Sequence, residues 1–226
     1  MKSKNSILLL TLIVFLILFA GCRKAEKPLE PLADVEGNIY KTVKIGSQEW
    51  MAENLKTTKF ADGTDIPLVK DTGAWSNLTT SAYCWYNNDE TTYNLPYGAL
   101  YNGYTIVSGQ LCPAGWHIPS KQEWMQLRDF LGDSLTAGGK LKEAGLTHWL
   151  APNKGADNSS GFTAVPAGFR YFEGSFSSLL SYAAFWVATD SASNDAWFTG
   201  LYYADAGFVI DHRIRKHGFS IRCIKN

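Results

Sequence analysis

Residues 111–124 read LCPAGWHIPSKQEW, and this stretch decides the fold class. Ser120 and Glu123 stand in the S-x-x-E relation, in which each side chain satisfies a free backbone amide at a helix start. Trp124, Leu127 and Leu131 then fall on one face and Gly132 supplies the stop, so the spacing predicts a helix following Pro119. A second, shorter helix is expected over 134–144, with Gly138 and Gly139 counting against it. Upstream, residues 38–46 alternate Ile39, Lys41, Val43 and Ile45 against Tyr40, Thr42 and Lys44, and read as a strand. Residues 61–63 and 70–73 carry turn chemistry. Residues 83–104 are dense in Tyr, Asn and Gly, which suits short strands and ordered loops rather than helix. Downstream lie short apolar segments at 162–165, 184–188, 196–201, 207–210 and 219–224, punctuated by Gly, Asn, Asp and Ser. One or two helices among many short strands and long ordered loops make an α+β domain with antiparallel sheet.

The composition narrows the function classes. The chain has 226 residues, 46% hydrophobic and 19% charged, which excludes a disordered or collagen-like polypeptide. Its 21 Lys and Arg balance 21 Asp and Glu, and the densest basic stretch is Arg213, Arg215, Lys216, His217. No basic face for a phosphate backbone follows from that, so nucleic acid is not an expected partner. Residues 37–226 show no low-complexity break or charge block and are expected to form one domain.

The N-terminal residues read as an address. Lys2 and Lys4 precede an apolar run at 7–19, too short for the roughly 20 residues that span a bilayer, so residues 1–21 read as a signal peptide. The run ends in Leu18, Phe19, Ala20, Gly21, Cys22, which resembles a bacterial lipobox, with Phe19 where Leu is usual. Cys22 is then the lipidated residue and the lipid bilayer a partner; a triacylated N-terminus anchors stably where one chain does not. The expected location is the bacterial cell envelope, lipid-anchored at the outer membrane. Residues 22–36, with RKAEKPLEPLADVE after the cysteine, read as a solvated tether. Loss of Lys2 and Lys4 tips the mature chain to a net negative charge.

In an oxidising compartment the remaining Cys84, Cys112 and Cys223 allow one disulfide and one free thiol. Cys112 with Cys223 is the favoured pair, closing a loop of about 100 residues. Cys84 with either of the others stays open. No cysteine pair has zinc-finger spacing.

Several motifs in order carry a likeness: VKIGSQEWMAENL (43–55), YCWYNND (83–89), LYNGYT (100–105), LCPAGWHIPSKQEW (111–124), GGKLKE (138–143), GFTAVPAGFR (161–170), FWVATD (185–190) and GFSIRCIKN (218–226). The chain closely resembles the Fibrobacter succinogenes major paralogous domain, a family of exported bacterial proteins and lipoproteins, over essentially all of 37–226. The resemblance implies a C-type-lectin-like α+β fold, distantly similar to formylglycine-generating, sulfatase-modifying proteins, and it carries no activity with it. It also supports joining Cys112 to Cys223, because C-type lectin domains link a cysteine near their first helix to one in the last strand. The Glu-Pro-Asn, Gln-Pro-Asp and Trp-Asn-Asp strings of calcium-dependent sugar binding do not occur; residues 194–197 hold similar letters in another order.

The remaining chemistry is sparse. His117, His148, His212 and His217 show no metal-ligand spacing, and His212 and His217, five apart, would sit on opposite faces of a strand. His117, beside Trp116, reads as a structural hydrogen-bonding group. No nucleophile elbow, dinucleotide or phosphate-loop motif occurs, and no metal, cofactor or catalytic residue is expected. Catalysis by Cys84, or by a pair among Asp89, Glu90, Glu173, Asp190, Asp195 and Asp205, is the third reading. The loop-rich half is aromatic: Trp186 and Trp197 read as core strand residues, and Tyr171, Phe172, Tyr202 and Tyr203 as surface candidates. Aromatic faces beside Asn and Asp suit stacking on sugar rings as well as protein contacts. The expected function is therefore a non-catalytic binding module for a glycan or cell-surface ligand; the alternative is a structural, adhesin-like component that binds protein.

Overall fold

The Ser120 cap closes as its spacing requires. Its hydroxyl accepts the Glu123 amide at 3.2 Å, and the Glu123 carboxylate accepts the Ser120 amide at 2.7 Å. The helix runs Lys121–Leu131 and buries Trp124, Leu127 and Leu131. The computed structural model describes residues 31–108, 110–189 and 193–226. Cys22, the expected signal peptide and the first part of the expected tether lie outside the described residues, as does Asp190. Within them, no helix is long and apolar enough to cross a membrane.

Among the described residues, fourteen short strands form four sheets with antiparallel pairing, so the domain is α+β. In chain order they are β1 (Leu32–Ala33), β2 (Ile39–Tyr40), β3 (Thr42–Ile45), β4 (Gln48–Met51), β5 (Tyr83–Cys84), β6 (Leu100–Asn102), β7 (Trp116–His117), β8 (Phe169–Arg170), β9 (Phe176–Ser177), β10 (Tyr182–Trp186), β11 (Asp195–Tyr202), β12 (Val209–Ile214), β13 (Gly218–Phe219) and β14 (Ile224–Lys225). The sheets are ordered β1-β2, β3-β4-β14-β7, β5-β6-β13-β8-β9 and β10-β11-β12.

The last of these sheets is buried on both faces over its centre, which is why its strands read as nearly continuous apolar runs. Ala184, Trp186, Ala196 and Phe198 point into one cluster with Tyr101, Phe219, Cys112 and Cys223. Ala183, Phe185, Val187 and Leu201 point into the other with Trp50, Trp124 and Phe162. Cys112 and Cys223 are bonded, with Cα atoms 5.9 Å apart and a sequence separation of 111.

Several expected elements differ. Residues 90–97 form a helix, Glu90–Tyr97, because the Asp89 carboxylate accepts the Thr92 amide at its start and the Tyr93 ring packs between those of Tyr86 and Tyr97. A further short helix, Thr72–Ser76, grows from the turn at 70–73 with Asp71 as its cap. The second expected helix shrinks to Ala137–Leu141. Gly138 and Gly139 earn their place there by close approach: a Cβ on Gly138 would lie 1.9 Å from the Gly207 carbonyl oxygen, and one on Gly139 2.3 Å from that of Gly155. The strand at 38–46 breaks at Lys41, leaving Ile39 exposed and Tyr40 buried. Residues 162–165 pair only through a bridge between Lys142 and Ala164. The expected strand at 219–224 splits around Arg222 into β13 and β14. The compact unit begins at Pro31, ahead of Gly37, since Asp34 closes the β1-β2 turn by accepting the amides of Glu36 and Asn38 and the hydroxyl of Tyr40.

Candidate functional site

In β10 and β11, Tyr182 stands opposite Tyr202, Ala184 opposite Gly200 and Trp186 opposite Phe198, all on one face. The deeper residues are buried, whereas Tyr182 and Tyr202 emerge at the sheet end with rings 6.2 Å apart. Gly200 permits this, because a Cβ there would meet the Tyr182 hydroxyl at 1.9 Å. The Phe169 ring stands edge-on to Tyr182 at 6.0 Å, and Tyr171 edge-on to Phe169 at 4.9 Å. Tyr171 and Phe172 in turn both rest against His217, at 5.9 and 5.7 Å. The two sequence-predicted pairs, 31 positions apart, thus belong to one aromatic band. Phe172 is 46%, Tyr202 41% and Tyr171 37% exposed. Tyr203 differs: its ring touches Tyr202 at 4.7 Å, but it packs against the Trp124 cluster on the other face.

Buried cations fix the loops that carry this band. Arg170 is fully buried between Trp75 and Phe176 and donates to the carbonyls of Val69, Lys70 and Gly174, so the turn bearing Tyr171 and Phe172 is tied to the 69–70 segment. Lys142 is equally buried, and its ammonium donates to the carbonyls of Lys154, Tyr202 and Asp205 at 3.0, 3.0 and 2.7 Å. Burial lowers its pKa to about 8 against the opposing pull of Asp205. Arg222 does the same for the core, donating to Met51, Phe162 and Thr163 carbonyls and to the Asn54 amide oxygen. Loops lack the ladder partners of sheet and helix, and here buried cations supply the donors for their carbonyls. The motifs GGKLKE, GFTAVPAGFR and GFSIRC therefore carry scaffold chemistry.

The other candidates fall into place separately. Cys84 is buried; desolvation pushes its thiol up to about 12, against the nearby Arg170 guanidinium, which lowers it. His117 bridges the Glu123 carboxylate at 2.9 Å and the Asn226 side chain at 2.7 Å. Asp89, Glu173 and Asp205 serve local turns or caps, accepting from Thr92, Ser175 and Gly207. His212 lies in β12, but His217 follows that strand in a turn, so strand alternation does not relate the two. Among the described residues, no group of three His, Cys, Asp or Glu side chains is placed to hold a metal ion.

Trp197 corrects the core reading. It is half-buried, opposite His212 in register, and it walls a cleft of about 590 Å³ that Lys121, Thr189, Ser193 and Asp195 also line. Phe169, Tyr182 and Lys121 were not apparent as site residues from sequence, and Asp195 was singled out there only as one of several loop carboxylates. The usable signal is the neighbouring pair Trp197 and Phe198: in an alternating strand the two must face opposite ways, and Phe198 is the buried one.

Searches of curated proteins and of solved structures found no match. Residues 43–225, nearly the whole described domain, match the Fibrobacter succinogenes major domain, and the chain belongs to that family.

Proposed function

We propose that this protein is an exported, lipid-anchored binding module of C-type-lectin-like fold, without catalytic function, that recognises a glycan through its aromatic band. The observation that carries the reading is the row Phe172, Tyr171, Phe169, Tyr182, Tyr202, exposed at its outer rings and held by Arg170 and Lys142. Rings held in place lose little conformational entropy on binding, and an extended row suits successive sugar faces better than one deep pocket. The link from Cys112, ahead of the main helix, to Cys223, beside the last strand, supports the lectin-like topology. Lipidation of Cys22 would hold the domain at the outer membrane, with residues 23–30 as the spacer.

The test is binding of residues 23–226 to a polysaccharide panel with and without a chelator. Saturable binding, unaffected by chelator and weakened at least tenfold by Tyr171→Ala or Tyr202→Ala, is the expected result. Binding to no glycan, or binding indifferent to both substitutions, overturns it. A protein partner is the second reading. It is favoured by a different surface, the outer face of the Lys121–Leu131 helix, where Phe130 is 63% exposed beside Met125. Retention of a protein partner that Phe130→Ser abolishes would establish that reading.

A further inference from the structure

We infer that the Trp197 cleft is a second binding site, shaped for a sugar or small polyol bearing one carboxylate, such as a hexuronate. It lies on the sheet face opposite Tyr182 and Tyr202, so it is separate from the aromatic band; only the choice of sugar acids as probes rests on the glycan reading. Its volume of about 590 Å³ falls within the range of about 300–1,000 Å³ common to small-ligand sites.

Three side chains define the chemistry. Trp197 offers an indole wall, with the His212 ring 5.6 Å away across the strand pair. Lys121 reaches over that indole with its ammonium 3.5 Å from the ring centroid, and among the described residues it has no carboxylate within ion-pair distance. Lys225 and Lys59, by contrast, lie against Glu49 and Asp65. A cation parked on an exposed aromatic face is held weakly enough to be given up for an anion. Asp195 is the third: among the described residues its nearest cationic neighbour is His212 at 3.8 Å, beyond hydrogen-bond length, which leaves its carboxylate oxygens able to accept hydroxyls.

The described part of the rim is prepared in advance. Thr189 donates to the Val187 carbonyl and accepts the Trp197 amide, fixing the wall. Arg215 donates to the Ser193 carbonyl, and the Ser193 hydroxyl accepts the Asp195 amide, which sets the carboxylate in place. A neutral sugar would leave Lys121 without its anion. A phosphate dianion would face Asp195 and, behind His212, Asp211. A single carboxylate on a ring with several hydroxyls matches one cation, one aromatic face and one acceptor.

The experiment is calorimetric titration of the purified protein with glucuronate and galacturonate, beside glucose, galactose and inorganic phosphate. The uronates are expected to bind at least tenfold more tightly than their neutral counterparts and than phosphate, with the preference removed by Lys121→Gln and weakened by raised salt. Trp197→Ala should abolish binding; Lys121→Gln, at the surface, keeps the test independent of any folding defect in Trp197→Ala. Tyr202→Ala should leave uronate binding unchanged. Equal affinity for glucose and glucuronate, no heat with either uronate at millimolar concentration, or a Lys121→Gln protein that still prefers uronates overturns the inference. Loss of uronate binding in Tyr202→Ala would also overturn it and assign the ligand to the band. Polysaccharide binding that depends on Tyr171 and Tyr202 stands or falls separately.

Discussion

Two aromatic assemblies occupy this domain, made of the same residue types and put to opposite uses. In the core, Trp124 lies 4.7 Å from Trp50 and 5.8 Å from both Phe162 and Phe185, all fully enclosed. On the surface, Tyr171, Phe169 and Tyr182 meet edge-on and Tyr202 lies tilted to Tyr182, at comparable distances and with the outer rings in solvent. Aromatic content therefore does not mark a binding surface; placement does. The core rings come from four distant motifs, each pointing inward from its own element. The most exposed surface rings come from doublets, 171–172 and 202–203. A doublet on extended chain sends its rings to opposite faces: both are buried where both faces are covered, as for Phe185 and Trp186 in β10, and one reaches solvent where only one face is, as for Tyr202 beside Tyr203.

Reduction of the disulfide should have the largest effect. The bond lies in the cluster beneath the band, beside Phe169 and Tyr182, and constrains a separation of 111 residues. Cys112→Ala with Cys223→Ala should lower unfolding stability by on the order of 4–5 kcal/mol in urea titrations, provided chain entropy dominates. An effect under about 1 kcal/mol would mean that the band is supported without it.

The two assemblies separate most directly under truncation. Trp124→Ala is expected to destabilise by about 3–5 kcal/mol through loss of a large buried ring. Tyr202→Ala should change stability by no more than about 0.5–1 kcal/mol while weakening glycan binding. Equal stability losses would show that the surface ring is structural and would erase the distinction drawn between the assemblies.

Lys142 ties them together, since it belongs to the GGKLKE motif yet holds the Tyr202 carbonyl. Lys142→Met keeps the stem but leaves three carbonyls without their donor, at a cost of about 2–3 kcal/mol. In amide hydrogen exchange, protection should fall around residues 202–205 more than in the Lys121–Leu131 helix. Uniform loss of protection would place Lys142 in the global core alone.

The smallest effect is a pH dependence at the other end of the band. Burial, with a contribution from Arg213, lowers the His217 pKa, against the Ile214 carbonyl, Glu173 and Asp195, which raise it. The unfolded chain therefore takes up this proton from about pH 6.5 downward while the folded state still resists it. Folded stability is greatest above that pH and falls on acidification until the lowered folded pKa is reached, by less than about 1.4 kcal/mol per pH unit. Comparing urea midpoints of wild type and His217→Phe between pH 7 and 5 isolates this component. Parallel pH profiles would show that the ring contacts of Tyr171 and Phe172 do not depend on neutral histidine.

Legibility followed the range of the interactions. The capping box of Ser120 and Glu123 involves neighbours three residues apart, so it could be read directly, and Gly132 as its stop likewise. The Glu90–Tyr97 helix was obscured by Pro96 and by a polar composition, because its support comes from Tyr86 and His148, outside the helix. The start at Pro31 hinged on Asp34, whose four hydrogen bonds close a turn in a segment that composition assigns to solvent. Tyr171, Phe172 and Tyr202 were recognisable as surface rings from their doublets, whereas Tyr203 turned inward and Trp197 outward. Which member of an adjacent pair faces water depends on which sheet face meets which core, a fact held in the register between β10, β11 and β12.

The amino-acid order alone determined the α+β class, the family, the main helix and the candidate rings, since these rest on local spacing, hydrophobic period and motif. Only the tertiary structure decided that Arg170, Lys142 and Arg222 clamp loop carbonyls, that rings 31 positions apart form one band, and that Lys121 reaches the Trp197 indole 76 positions away. Hydrogen bonds and ring contacts act over a few ångströms of space, and a chain with so many irregular connections places those few ångströms anywhere along its length.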